Sequence, residues 1–397
     1  MNVLMVDEEV PFPLNTGKRI RTFNLLKQLA QWHTITYLCY QNASTRLPDL
    51  KNVSFEQLPS PIVEQRGAFF YWSLLKNIFS PRPYSVERHA SGMMKAKVAS
   101  LMHQHMYDLL HCEWTPYSEN IKDWISKVPS VLAAHNVEAQ VWQRLFMNER
   151  NIIKKLYTFL QWRKMDRYER RVSREYSEIM AVSNLDKDIF LSRYGCHNVS
   201  VIPNGIDATY FHPLDHPIKP YSMIFSGSMD WRPNQDGVRY LLKEIFPEIQ
   251  RWLPEATVTI AGRNPPAWLE ELSKKFRGVV LTGTVDDVRP YIAQGALYIV
   301  PLRIGGGSRL KILEALAMGK TVLSTSIGAE GLDLVNGEHL LIRDDPETFA
   351  RTAVDLLLHP EEQAHLGGQG REKVLADYTW DSIVILVDRV WQKATGN

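Results

Sequence analysis

One alternation runs almost the whole length of this chain and limits what it can fold into. Short apolar, β-branched runs recur between longer stretches of helical periodicity. Strands are expected at 2–6, 34–40, 108–114, 130–136 and 178–183. A second series is expected at 221–228, 256–263, 278–285, 296–303, 321–326 and 339–344. A continuously apolar strand is covered on both faces, and the interleaved helices supply the covers. The pattern therefore predicts an α/β chain built on parallel sheets.

The two series are separated by 201–220, where Pro, Gly, Asn and Asp crowd together as they do in linkers. A chain of 397 residues has room for two cores. The expected domains are 1–203 and 204–378, each Rossmann-like and doubly wound. A helix over 379–397, with Thr379 or Asp381 as its N-cap, is expected to join the first of them.

Composition excludes several classes. The formal charge of +2 gives no general nucleic-acid footprint. Cys39, Cys112 and Cys196 are few and far apart, which argues against a disulfide framework and suits a reducing cytoplasm. The opening "MNVLMVD" reads as a strand rather than a signal peptide. No apolar run approaches the roughly 18–20 residues of a membrane span.

In open α/β sheets ligands sit beyond the carboxyl ends of the strands, so the loops there carry the chemistry. Most conspicuous is "RIGGGSRLKILEALAMGK" (303–320). Gly305, Gly306 and Gly307 allow close backbone approach, Ser308 can cap the following helix, and a helix start favours an anion. Arg303, Arg309 and Lys311 add positive charge, and Arg309 falls within the apolar arc of the expected helix. Lys311 and Glu314 are spaced i, i+3 on a neighbouring face. Neither a Walker A loop nor a dinucleotide fingerprint is present. A diphosphate site and a glycine turn with a surface ion pair are both open readings.

Together with "AVSNLDKDIFLSRYG" (181–195), "VIPNGIDATYF" (201–211) and "AGRNP" (261–265), the stretch 301–332 resembles the retaining glycosyltransferases of family 4. That resemblance implies a GT-B fold, two Rossmann-like domains facing each other across a cleft. It also implies sugar transfer from a nucleotide-sugar (UDP-, GDP- or ADP-) to a glycan, lipid-linked or small-molecule acceptor, in polysaccharide or glycoconjugate biosynthesis, with no metal or other cofactor. Glu314 fills the second place of the family's E-x7-E pattern and would hold the donor ribose. The first place falls on Gly306, so backbone amides stand where a carboxylate is usual.

The resemblance extends to further positions. In "SGSMDWRPNQDG" (226–237) Gly227 is kept, but Ser228 stands where the family has a base. Arg303, Arg309 and Lys311 would then neutralise the diphosphate. Arg263, and Thr284 and Val285 at the end of another expected strand, complete the donor side. His135, at a strand end, would reach the donor sugar or its developing charge. It joins Glu314 and Arg309 as a candidate catalytic group. On the acceptor side stand Gly17, Lys18 and Arg19, with Glu113 and Asn136.

Two stretches remain. His103, His105, His111 and Cys112 match no structural zinc spacing, and no metal site is expected there. Residues 151–176 hold eight Lys or Arg against three acids, with several aromatics. This is either a solvated domain helix or a basic surface lying on the cytoplasmic face of a membrane. Competing functions are a GT-B nucleotide-sugar 2-epimerase and a non-catalytic nucleotide-sugar-binding subunit.

Overall fold

The computed structural model describes residues 1–14, 16–41, 47, 49–60, 68–304 and 309–396. The chain divides into two compact units, Met1–Pro203 with Ile383–Asn397, and Asn204–Ser382.

The first unit is built on a seven-stranded sheet, parallel throughout. Its strands are β1 (Asn2–Glu9), β2 (Thr34–Gln41), β3 (Val53–Pro59), β4 (Leu109–Cys112), β5 (Ser130–Ala134), β6 (Glu178–Ala181) and β7 (Val199–Val201). They run in the order β3-β2-β1-β4-β5-β6-β7. The second unit carries six parallel strands: β8 (Ser222–Ser226), β9 (Thr257–Ala261), β10 (Val279–Gly283), β11 (Leu297–Val300), β12 (Val322–Ser324) and β13 (Leu341–Ile342). Their order is β10-β9-β8-β11-β12-β13. Each sheet winds outward in both directions from its first strand. The crevices where ligands bind such folds therefore open beside β1/β4 and β8/β11.

β3 and β7 were not among the expected strands, and both are sheet edges. An edge strand needs only one covered face. Ser54, Glu56 and Gln57 accordingly interrupt the apolar run of β3, and β7 is three residues beside the linker-like stretch. β1 and β2 run on past the expected ends, while the remaining strands end earlier than their apolar runs. The freed residues, including Glu113, His135, Gly227 and Arg263, form loops at the carboxyl ends.

The helix Trp380–Thr395 is capped by Thr379, whose Oγ1 accepts from the Ser382 amide at 3.2 Å, so Thr379 rather than Asp381 takes that place. Within the first unit its later turns bury Trp391 and pair Asp388 with His33 (2.7 Å) and Lys393 with Glu178 (2.7 Å). The helix Ile152–Ser173 is not solvated along its length, because Gln161, Lys164, Met165, Tyr168, Glu169 and Val172 are buried. Its first half is mostly exposed, and in the second half Arg163, Arg167 and Arg171 are among the exposed residues. Among the described residues no helix is long and apolar enough to cross a membrane.

Candidate active site

In the second unit the site grows from a glycine. Gly227 follows β8 at φ 154°, and a Cβ there would lie 2.7 Å from Lys311 Nζ and 2.8 Å from Asn234 Nδ2. Only a glycine lets the lysine lie across this loop. Lys311 Nζ donates to Asn234 Oδ1 at 2.8 Å and stands 4.3 Å from the centre of the Phe225 ring. Asn234 in turn donates to the Ser228 carbonyl (2.8 Å), so one amide holds both the loop and the cation.

Glu314 follows Lys311 by three residues on the helix Leu310–Ala317. Burial pushes its carboxyl up to about 7, against the opposing pull of Lys311. Burial likewise brings the Lys311 ammonium down to about 7; Glu314 opposes that fall and Arg309 adds to it. A cation and an acid that both change charge near neutrality thus share the crevice between β8 and β11, a concentration of perturbed groups typical of functional sites.

Arg309 does not lie on the face of that helix, as its place in the apolar arc had suggested. It precedes the first turn in the left-handed conformation (φ 49°) and is buried, with Nη2 3.4 Å from Glu330 Oε2. Such a backbone costs a non-glycine residue about 1–3 kcal/mol and tends to persist where function requires it.

The loops after β8 and β9 are joined. The Gly227 amide donates to Ala261 O and the Met229 amide to Arg263 O, each at 2.9 Å. The Arg263 Nε donates to Ser228 Oγ at 2.8 Å. Arg303 is turned to other partners, pairing with Asp236 (3.0 Å) and Glu244 (3.5 Å) over the Tyr240 ring. Thr284 and Val285 follow the edge strand β10, with β9 between it and β8. Gly305, Gly306, Gly307 and Ser308 lie outside the described residues.

In the first unit a buried carboxylate links two histidines. Glu113, just beyond β4, is 3.0 Å from His135 Nε2 through one oxygen and 3.2 Å from His111 Nε2 through the other. Despite burial, its hydrogen bonds with His111 and His135 hold its carboxyl below the usual range, so it is an acceptor. Behind His111, the Trp391 indole stands 3.0 Å from Nδ1. An indole N–H can only donate, so His111 Nδ1 is bare and its proton is on Nε2, directed at Glu113. His135 must likewise donate from Nε2, which leaves its Nδ1 as the free face of the ring.

Near these groups, Lys18 lies 2.7 Å from Asp7 and 3.5 Å from Glu8, and Arg19 pairs with Glu9. Gly17 opens the helix Gly17–Leu29, which Thr16 caps. The cations expected on the acceptor side are thus already matched by the acids that end β1. Asn136 follows His135 in the same loop and is half-buried. The other histidines do not converge: His103 packs on Trp124, His105 on Tyr107 and His111 on Trp391.

Asp7, Asn234, Glu330 and Trp391 escaped the sequence reading. Asp7 left a signal, an acid at the carboxyl end of an apolar strand. Asn234 and Trp391 left none, because the groups they hold are 77 and 280 positions away in sequence.

Comparison with known proteins decides what this scaffold is. Residues 17–210 match the family described as Glycosyltransferase Family 4, and residues 220–359 match Glycosyl transferases group 1. The chain carries a family 4 glycosyltransferase domain followed by a group 1 glycosyl transferase domain. This glycosyltransferase is 23% identical over 379 residues to an "Uncharacterized 44.6 kDa protein in cps region" of Klebsiella pneumoniae, a match covering 89% of the chain and 90% of that protein. Among solved structures, sucrose-phosphate synthase from Thermosynechococcus elongatus superposes with a TM-score of 0.72 at 15% identity, over 100% of the chain and 99% of that structure. Anabaena HepE in complex with UDP-glucose superposes with a TM-score of 0.61 at 14% identity, over 100% of both chains. With its two parallel sheets, the glycosyltransferase has the GT-B fold.

Proposed function

We propose that this glycosyltransferase moves a sugar, with retention, from a nucleotide-sugar (UDP-, GDP- or ADP-) to a hydroxyl of a glycan, lipid-linked or small-molecule acceptor. Polysaccharide or glycoconjugate assembly at the cytoplasmic side of a membrane is its setting. One observation carries the reading: Lys311 lies across Gly227 with Glu314 one turn further along the same helix. A cation for a diphosphate beside a carboxylate for a ribose diol suits a sugar nucleotide better than either group alone. The HepE complex, which holds UDP-glucose on the same fold, supports this donor class.

In this reading the bond from the sugar carbon to the diphosphate oxygen breaks while the acceptor oxygen adds on the same face. The acceptor proton passes to the departing phosphate. Negative charge gathers on the diphosphate, and Lys311 with the buried Arg309 stabilises it without a metal. His135, its ring fixed by Glu113, meets the sugar or its developing positive charge through Nδ1.

Thermal-shift measurements with UDP-, GDP- and ADP-sugars test the donor, since a ligand that binds only the folded state raises the melting temperature. Stabilisation by none of them refutes the proposal. Stabilisation followed by transfer to an acceptor supports it. Donor conversion without an acceptor would instead mark an epimerase, and binding without any turnover a non-catalytic subunit.

A further inference from the structure

Two helices of the first unit carry clusters of exposed apolar side chains. On Ala68–Ile78, the residues Tyr71, Trp72, Leu75 and Ile78 fall within one arc about 120° wide at 100° per residue. All are exposed, Trp72 at 64%, and Phe79 beyond the helix end is 89% exposed. This helix therefore turns its apolar face outward, the reverse of a helix that serves the core.

The second helix, Ile152–Ser173, does the same in its first half. Ile152 is 83% exposed and Ile153 80%, with Leu156 and Phe159 on the same side. Further along this arc stand the exposed Arg163 and Arg167, and Lys154 and Lys155 flank it. From residue 139 to 165 the one acid is Glu149.

Buried polar contacts fix the two helices to each other. Gln161 Nε2 donates to Asn77 Oδ1 at 2.8 Å, and Lys164 Nζ donates to the carbonyls of Asn77 (2.6 Å) and Ile78 (3.1 Å). Ile153 lies about 12 Å along the helix from Gln161 at 1.5 Å per residue. These contacts hold the two helices to each other, and the apolar residues of both stay on the surface of the first unit.

We infer that this surface is a docking site for an anionic lipid bilayer. Aromatic rings beside long cations, with almost no acid among them, match the interfacial region of a membrane, where apolar side chains enter the acyl boundary and Lys or Arg meet anionic headgroups. A protein partner is the weaker fit, since Lys is depleted in protein interfaces. The inference stands apart from glycosyl transfer, but it gives a lipid-linked acceptor a route to the enzyme.

Flotation of the full chain with vesicles tests it, using phosphatidylcholine alone and phosphatidylcholine with about one third phosphatidylglycerol. Binding to the anionic vesicles, at least tenfold weaker on neutral ones and weakened by salt, is the expected result. The pair Trp72→Ser with Ile153→Ser should reduce that binding at least tenfold, as should Lys154→Glu with Lys155→Glu. All four positions are exposed, so melting temperature and donor-induced stabilisation should stay unchanged and separate this question from the proposed donor chemistry. Equal flotation of variants and wild type overturns the inference, as does absence of binding to anionic vesicles. A wild-type dimer that the Ser variants dissociate would also overturn it, by assigning the surface to a second copy.

Discussion

The Trp391 indole donates to His111 Nδ1 across 280 positions of sequence, and that hydrogen bond fixes where the next proton sits. With Nδ1 occupied as an acceptor, His111 can serve Glu113 only through Nε2–H, and Glu113 keeps its second oxygen for His135. The orientation of a half-buried strand-end histidine is thus set by a residue of the last helix.

Trp391→Phe should preserve the apolar bulk and remove this donor. Leaving a buried acceptor unsatisfied costs about 1–3 kcal/mol, so the melting temperature should fall by several degrees. The ring nitrogen resonances of His111, Nδ1 above all, should move in NMR spectra, because Nδ1 loses the N–H it accepts from. Unchanged histidine resonances would refute the tautomer assignment.

His135→Ala should lower kcat about a hundredfold, the usual cost of removing one group that stabilises developing charge. The donor KM should change far less, since the interaction is made mainly in the transition state. Glu113→Gln should act in the same direction but more weakly, since an amide oxygen can still accept from His135. Steady-state kinetics on both variants measure this, and wild-type turnover in His135→Ala removes it from the site.

Glu314→Ala should weaken donor binding roughly 10- to 100-fold, the loss expected when hydrogen bonds to a charged group are removed. Calorimetry with the nucleotide-sugar identified by thermal shift checks this.

Donor affinity should also peak near neutral pH. As pH falls through about 7 the Glu314 carboxylate gains a proton and ceases to accept from hydroxyls. As pH rises through about 7 the Lys311 ammonium loses the charge that would face the diphosphate. Both limbs should be visible in binding titrations between pH 5 and 9. Lys311→Met should remove the alkaline limb, and Glu314→Gln the acidic one.

Gly262→Ala tests how the donor loops are held. A Cβ at this position would lie 1.9 Å from the Gly227 carbonyl oxygen, a backbone atom that cannot step aside alone. The loops after β8 and β9 must then separate, lowering stability by about 1–3 kcal/mol, as overpacking does. Donor-induced stabilisation should fall with it. A variant that melts and binds like the wild type would show that the two loops move independently.

The covered strands were legible because burial on both faces writes an unbroken apolar run. The edges β3 and β7 were not, since a half-covered strand is free to carry Ser, Glu and Gln. Within the site, the spacing of Lys311 and Glu314 announced a pair on one helix. Periodicity could not show that the helix begins at Leu310, which takes Arg309 off its face and turns it to Glu330. Long-range partners such as Asn234 were invisible for a simpler reason. A polar side chain near the start of a helix looks the same whether it faces water or a lysine brought in by the fold.

The first unit is not contiguous: Ile383–Asn397 complete it after the whole second unit has been written. On the ribosome, residues 1–203 therefore emerge without the side chains that cover His111, His33 and Glu178. The second unit can finish folding first, and the unit bearing Glu113 and His135 closes only once Ile383–Asn397 have emerged. A chain cut before Ile383 would carry a sound second unit beside an incomplete first one, a lesion that proteolysis could recognise before any sugar is spent.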